Sequence, residues 1–148
     1  MSESKVENKA ENMASKIAIY SDDASVRQAV KSALGSKLAG GLEIETIEFA
    51  TADALRLYVD QTDINGVLRV DLFILDGEAV PEGGLGVARQ LKDEVYNCPP
   101  SIVLIARQSD SWLAAWSRAE ASLLHPVDPF ALARTASELL QQRLSANA

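Results

Sequence analysis

Short apolar segments alternate with helical stripes five times along this chain, and that alternation constrains its fold more than any other feature. The apolar segments lie at 17–20, 42–49, 70–75, 102–106 and 123–124. Helical stripes follow them at 26–34, 55–59, 87–95, 112–119 and 132–140. Central strands that are apolar throughout are typical of parallel sheets covered by helices on both faces. The sequence therefore predicts a doubly wound α/β domain with a five-stranded parallel sheet.

The ends of the chain differ in composition from its middle. Residues 1–14 mix Ser, Glu, Lys and Asn with almost no apolar periodicity, which predicts a disordered N-terminal tail. The domain is expected to occupy 15–144, with residues 145–148 as a short C-terminal tail. Turn residues at 63–66 separate the second helix from the third strand. A chain of 148 residues suits one such domain.

Composition excludes several classes of function. With 14 Lys and Arg against 21 Asp and Glu, the chain lacks the clustered positive charge that direct nucleic-acid binding requires. A single cysteine (Cys98) excludes an internal disulfide, and a single histidine (His125) excludes a multi-histidine metal site. No apolar run reaches the ~18 residues of a membrane span, so we expect no membrane insertion and a cytoplasmic protein.

Polar residues follow the predicted strands at the edge where parallel strands end. Asp22 follows the first strand, Asp76 the third and His125 the fifth. Because neighbouring strands lie ~4.8 Å apart, the two carboxylates are expected side by side. They can hold a hard cation such as Mg²⁺, or one can act as a nucleophile. The structural alternative is that both are turn or cap residues.

The order of these residues resembles the receiver domain of response regulators, over about 15–144. The matching motifs are the acidic segment 19–23, the aspartate in 75–78, the Gly84-Leu85 pair and His125-Pro126. The family's proline in the loop before Gly84 is displaced by one residue, to Pro81. Some tracts also resemble small single-receiver proteins of actinobacteria. The resemblance implies a flavodoxin-like (CheY-like) fold with strand order 2-1-3-4-5 and a signalling module rather than an enzyme.

The resemblance also assigns roles to individual residues. Asp76 takes the place of the phosphoacceptor, and His125 that of the lysine that pairs with the phosphoryl group. Mg²⁺ would be held by Asp22, Asp76 and the backbone carbonyl of Glu78. The implied partners are a sensor kinase or another protein, and a homodimer stays open.

Departures from the family pattern predict a weakened site. Ser21 replaces the first acid of the pair, which predicts weaker Mg²⁺ binding. The family's Thr or Ser after the fourth strand aligns with Ile105, or with Ala106 if the register slips by one. Ser122 replaces the family's aromatic switch residue. The sequence leaves open whether the peptide bond between His125 and Pro126 is cis.

Three functions follow from this reading. The leading one is an atypical stand-alone receiver, phosphorylated on Asp76 and acting through protein contacts. The second is a phosphorylation-independent pseudo-receiver that serves as an interaction module. The third, a flavodoxin-like enzyme or nucleotide binder, rests on the glycine-rich run 82–86, which fits neither common nucleotide-binding motif and is better explained as a turn.

Trp112 and Trp116 lie one helical turn apart on the predicted fourth helix. If both pack on the sheet, they are core residues. If one is exposed, it marks an interaction surface, because tryptophan is enriched at protein interfaces. We expect one of them to be partly exposed.

Overall fold

The computed structural model describes residues 14–62 and 69–146. The strands are β1 Ser15–Tyr20, β2 Lys37–Leu38, β3 Leu42–Phe49, β4 Leu72–Asp76, β5 Ser101–Ile105 and β6 Ala121–Leu124. The helices are α1 Ala24–Leu34, α2 Ala52–Thr62, α3 Gly84–Glu94, α4 Ser111–Trp116 and α5 Pro129–Ala146. Short 3₁₀ turns lie at Ala39–Gly41 and Gln108–Asp110. Residues 1–13 of the tail predicted at 1–14, the turn predicted at 63–66 and residues 147–148 lie outside the described residues.

The sheet has six strands in the order β2-β3-β1-β4-β5-β6. β3, β1, β4, β5 and β6 pair in parallel, which confirms the predicted order of five strands. The sixth strand was not predicted: β2 pairs antiparallel with the first residues of β3. Gly40 and Gly41 make this reversal possible because both have positive φ, at 82° and 76°. Two residues are too few for a periodic signal in the sequence.

Side chains of the sheet alternate between two buried layers, one on each face. Ala18 and Tyr20 of β1 pack with residues of α2, α3 and α4. Ile17 and Ile19 of the same strand face the other layer, with Val30 of α1 and Leu132 of α5. Both faces of the sheet are therefore covered, as the apolar strands predicted.

Helix ends follow from local sequence. Thr51 Oγ1 accepts a hydrogen bond from the Ala54 amide at 3.1 Å at the start of α2. Asp128 accepts one from the Phe130 amide at 2.9 Å, with Pro129 as the first residue of α5. α5 ends at Ala146, so the first two residues of the predicted C-terminal tail are helical. Within the described ranges, no helix is both long and apolar enough to span a membrane.

Candidate functional site

A pocket of about 340 Å³ lies at the edge where the parallel strands end. Its lining residues come from the ends of four strands, the loops that follow them and the first turn of α1: Asp22, Asp23, Val26, Asp76, Glu78, Ala106 and His125. The structure thus brings Asp22, Asp76 and His125 together, as the strand order predicts. The reason is topological, because right-handed crossovers place all these strand ends on one edge.

Asp76, the last residue of β4, is the centre of this site. Its side chain is only 4% exposed and accepts three hydrogen bonds. Oδ1 accepts from the Glu78 amide at 2.9 Å and lies 2.8 Å from His125 Nε2. Oδ2 accepts from the Ser21 hydroxyl at 2.7 Å. Because an ionised carboxylate only accepts, Nε2 of His125 carries the hydrogen when Asp76 is ionised.

Ser21 is the site residue whose contact the sequence did not predict. It was interpreted only as a missing acid, yet it is fully buried and donates to Asp76. Its position directly after β1, beside β4 in the sheet, is the only sequence signal for this contact. A hydroxyl next to a carboxylate can donate, whereas a second carboxylate cannot.

The two acidic residues after β1 have different partners. Asp22 Oδ1 accepts a hydrogen bond from the Val80 amide at 3.1 Å, which ties the end of β1 to the loop after β4. Asp23 is the N-cap of α1 and accepts from the Ser25 amide at 2.8 Å. The hydrogen bond from the Ser25 hydroxyl, with that from its amide, lowers the pKa of Asp23 below its ordinary value. Asp23 therefore acts as a helix cap, although both it and Asp22 line the pocket.

The loop between β4 and α3 is held in place by its neighbours. The Tyr20 hydroxyl donates to the Glu82 carbonyl at 2.5 Å. Arg56 of α2 pairs with the Glu82 carboxylate, and this hydrogen bond raises the pKa of the guanidinium. Burial, together with the Glu82 charge, raises the pKa of Tyr20. The loop that carries Glu78 is thus anchored at Glu82 to both β1 and α2.

The glycine-rich run is explained by close packing against this loop. A Cβ at Gly84 would lie 2.7 Å from the Asp76 carbonyl oxygen, and one at Gly83 would lie 2.9 Å from that of Gly77. Gly77 is equally confined, since its Cβ would lie 2.6 Å from the Leu104 carbonyl oxygen. These distances favour the structural interpretation of the run over a nucleotide cradle.

Comparison with known proteins decides the family. No protein-family model matches the sequence. A protein named as an uncharacterised response regulatory protein of Mycobacterium tuberculosis, in strains CDC 1551 / Oshkosh and ATCC 25618 / H37Rv, is 48% identical over 127 residues. The match covers 85% of this chain and 91% of the relative. The chain belongs to the response regulator family.

Solved structures agree on the fold of this response regulator. A CheY-like receiver domain protein from Methanospirillum hungatei superimposes with a TM-score of 0.70, at 19% identity, over 90% of this chain and 98% of that one. The chemotaxis protein CheY4 of Vibrio cholerae gives a TM-score of 0.67 at 19% identity, over 85% and 98%. The response regulator therefore has the CheY-like receiver fold that its sequence predicts.

Two positions of this response regulator lack the side chains of the family pattern. Ile105 is buried in the core, and Ala106 instead lines the pocket, so the register shifted by one residue is correct. A methyl group there cannot donate a hydrogen bond to a phosphoryl oxygen. Ser122 is exposed on β6. The bonds Val80–Pro81 and His125–Pro126 are both cis.

The oxygen donors at the pocket fit a magnesium ion with few protein ligands. Asp22 and Asp76 line the pocket with carboxylates that would serve as ligands, and the family resemblance adds the Glu78 backbone carbonyl. Mg²⁺ is commonly bound by one or two carboxylates together with water and phosphate oxygens. Within 14–62 and 69–146, no group of three or more His, Cys, Asp or Glu side chains is arranged to hold a metal ion. The site thus has the chemistry for Mg²⁺ but a small set of ligands.

Both tryptophans of α4 are exposed, Trp112 by 67% and Trp116 by 48%. The sequence predicted that one of the two would be partly exposed, whereas both are exposed. The helix has six residues, and it buries Ala114 against the core while Trp112 and Trp116 share the opposite side. The Arg89 guanidinium lies 5.4 Å from the centre of the Trp116 ring and donates to the Trp116 carbonyl at 2.8 Å.

Cys98 lies away from this pocket. It precedes β5 and lines a separate pocket with Pro100, Glu120 and Arg143. Burial raises the pKa of the Cys98 thiol to about 11. The structure therefore places Cys98 and His125 in different pockets.

Proposed function

We propose that this response regulator is a receiver that takes a phosphoryl group on Asp76 and transmits the signal through protein contacts, without being an enzyme. The observation that carries the proposal is the convergence of Asp22, Asp76 and His125 on one pocket. Of the three, Asp76 is buried, His125 is half-buried and Asp22 is exposed. Oδ1 of Asp76 lies next to groups that can stabilise negative charge. A cytoplasmic location fits a chain whose single cysteine has no partner for an internal disulfide.

The proposed reaction is a phosphoryl transfer. An oxygen of Asp76 attacks the phosphorus of an acyl phosphate or of a phosphohistidine on a sensor kinase. The bond from phosphorus to the donor's oxygen or nitrogen breaks, and the donor leaves with that electron pair. Asp76 becomes a mixed anhydride with phosphate, and no oxidant or reductant is needed.

The chain's own residues orient and stabilise the groups in this reaction. His125 Nε2 is close enough to Asp76 to donate to the incoming phosphoryl oxygens. Asp22, Asp76 and the Glu78 carbonyl would hold Mg²⁺, which supplies positive charge against the phosphoryl oxygens. The Val80 amide positions Asp22 for this role.

Ala106 limits how strongly a phosphoryl group can change the conformation. A hydrogen bond to a charged group contributes about 1.5–3 kcal/mol, and Ala106 cannot provide one. The loss corresponds to roughly 10- to 150-fold in the population shift that phosphorylation drives. We therefore propose that the response to phosphate is weak compared with that of a receiver carrying a hydroxyl at this position.

The test is the intact mass of the protein after incubation with acetyl phosphate and Mg²⁺. The expected result is a gain of one phosphoryl group in the wild type and none in Asp76→Asn. Asp60→Asn, an exposed change on α2, is the matched control and should gain the group like the wild type. A wild type that gains nothing, or an Asp76→Asn variant that gains as much, would refute phosphorylation at this site.

A second candidate function is a contact module that works without phosphate. The exposed pair Trp112 and Trp116 favours it, because two large aromatic side chains outside the core are typical of a contact surface. Sedimentation velocity of the protein alone provides the test, with the chain itself as partner. Self-association that persists in Asp76→Asn but is lost in Trp112→Ala supports the second candidate, whereas association that requires the phosphorylated protein supports the first.

A further inference from the structure

The two oxygens of Asp76 lie in different surroundings. The donors to Oδ1, the Glu78 amide and His125 Nε2, belong to residues that line the pocket. The donor to Oδ2 is Ser21, which has no exposed surface. Oδ1 is thus bonded to groups that line the pocket, whereas Oδ2 is bonded to a buried hydroxyl.

Ser21 is held in place by hydrogen bonds that involve its backbone amide, its backbone carbonyl and its hydroxyl. Its amide donates to the Phe49 carbonyl at 3.2 Å, and its carbonyl accepts from Arg27 Nη1 at 2.6 Å. Its hydroxyl oxygen accepts from the Asp23 amide at 3.1 Å. Because that amide occupies an acceptor position of the oxygen, the hydroxyl hydrogen is free to point at Asp76.

We infer that Ser21 is a positioning residue, whose hydroxyl fixes the rotation of the Asp76 carboxylate and leaves Oδ1 as the oxygen that reacts. The inference rests on the phosphoryl transfer proposed above and adds which oxygen forms the new bond. Without the Ser21 hydroxyl, the carboxylate retains donors on one oxygen only and can rotate about its last side-chain bond.

The Ser21 hydrogen bond is compatible with both ends of the reaction. When Oδ1 forms its bond to phosphorus, Oδ2 becomes the carbonyl oxygen of the anhydride and remains an acceptor for Ser21. Oδ1 becomes a bridging oxygen and a poorer acceptor, so His125 Nε2 can turn its hydrogen to a phosphoryl oxygen. Ser21 therefore keeps its hydrogen bond to Oδ2 throughout the reaction, while His125 exchanges Oδ1 for a phosphoryl oxygen.

The experiment compares Ser21→Ala with Ser117→Ala. Ser117 is also fully buried, and like Ser21 its hydroxyl makes two hydrogen bonds, but it lies at the end of α4. It donates to the Ala114 carbonyl at 2.6 Å and accepts from the Ala119 amide at 3.3 Å. The first readout is the initial rate of phosphorylation by acetyl phosphate, measured by intact mass. We expect Ser21→Ala to be slower than the wild type by about tenfold or more, because misoriented reacting groups lose rate. Ser117→Ala should match the wild type.

The second readout does not depend on phosphorylation. It is the ¹³C resonance of the Asp76 carboxyl carbon, assigned from its absence in Asp76→Asn. We expect this resonance to shift in Ser21→Ala and to stay in place in Ser117→Ala. Ser21→Cys, which keeps a weak donor of similar size, should give intermediate values and serves as the test variant if Ser21→Ala does not fold.

The outcomes separate this inference from the proposed function. An unchanged resonance in Ser21→Ala, or a phosphorylation rate equal to that of Ser117→Ala, overturns the role of Ser21. If the wild type is not phosphorylated, the proposed function fails, and the resonance alone decides: a shift in Ser21→Ala supports positioning of Asp76, and its absence refutes it.

Discussion

The two edges of the sheet use ionisable residues in opposite ways. At the edge where the strands end, Asp22, Asp76 and His125 converge on a pocket. At the edge where they begin, Lys92 pairs with Glu120 at 2.6 Å, and Cys98 carries a thiol with a pKa raised by burial. The edge where the strands end thus brings a second carboxylate and an imidazole close to Asp76. The edge where they begin pairs opposite charges and keeps the Cys98 thiol protonated.

The difference shows where chemistry can occur in this fold. At the starting edge, Lys92 and Glu120 satisfy each other, so this pair stabilises the structure and offers little to a ligand. Groups at the ending edge depend on a loop, 77–83, that is fixed by backbone packing and by Tyr20. Substitutions at one edge at a time test this difference between the two edges.

The largest expected effect is on stability, from a methyl group added behind Asp76. Gly84→Ala places a Cβ 2.7 Å from the Asp76 carbonyl oxygen and 2.8 Å from the Leu75 carbonyl carbon. Because backbone rather than a flexible side chain must move, we expect a loss of about 3 kcal/mol. Urea unfolding measures it.

Gly86→Ala is the matched control for this change, in the same turn of α3. A Cβ at Gly86 meets nothing within 4 Å, so alanine should stabilise the protein by about 0.4–1 kcal/mol. Equal effects of the two substitutions would contradict the close packing of Gly84 against the end of β4.

The second prediction concerns the thiol at the starting edge. With its pKa raised to about 11, Cys98 should react with iodoacetamide at pH 8 about 100-fold more slowly than a thiol of ordinary pKa. The rate should rise about tenfold per pH unit up to about pH 10. A reaction rate equal to that of free cysteine would show that the Cys98 thiol is accessible to solvent and would contradict this prediction.

The same pKa shift gives a stability effect of known sign. The folded protein holds the Cys98 proton more tightly than the unfolded chain, whose thiol titrates near 8.5. The contribution is therefore complete below about pH 8.5 and is lost as the pH rises toward 11. Between about pH 8.5 and pH 11, the free energy of unfolding should therefore fall less in Cys98→Ala than in the wild type. Thermal unfolding at a series of pH values measures this difference.

The third prediction separates the two neighbouring acids at the ending edge. Asp22→Asn should weaken Mg²⁺ binding by roughly tenfold or more, because a carboxylate that faces the pocket is removed. Asp23→Asn changes the net charge by the same amount, but asparagine can take over the N-cap role of Asp23. We therefore expect Mg²⁺ binding to weaken by less than about threefold. Calorimetric titration with Mg²⁺ measures both. Equal losses would show that only the total charge matters.

The sequence predicted the convergence of Asp22, Asp76 and His125 because strand ends in a parallel sheet share an edge, whatever the side chains do. It did not predict the donation from Ser21 to Asp76, since a hydroxyl direction depends on its rotamer and its other partners. It also predicted exposure of only one of the two tryptophans, whereas both are exposed. A six-residue helix is too short for its periodicity to identify the buried side.

The central claim is that Asp76 is the residue that accepts phosphate in this pocket. Borohydride reduction of the protein after incubation with acetyl phosphate and Mg²⁺ converts an aspartyl phosphate to homoserine, which tandem mass spectrometry locates in the sequence. The account predicts homoserine at position 76 and unchanged aspartate at positions 22 and 23. Aspartate retained at position 76, or homoserine at either of the other two positions, would contradict it.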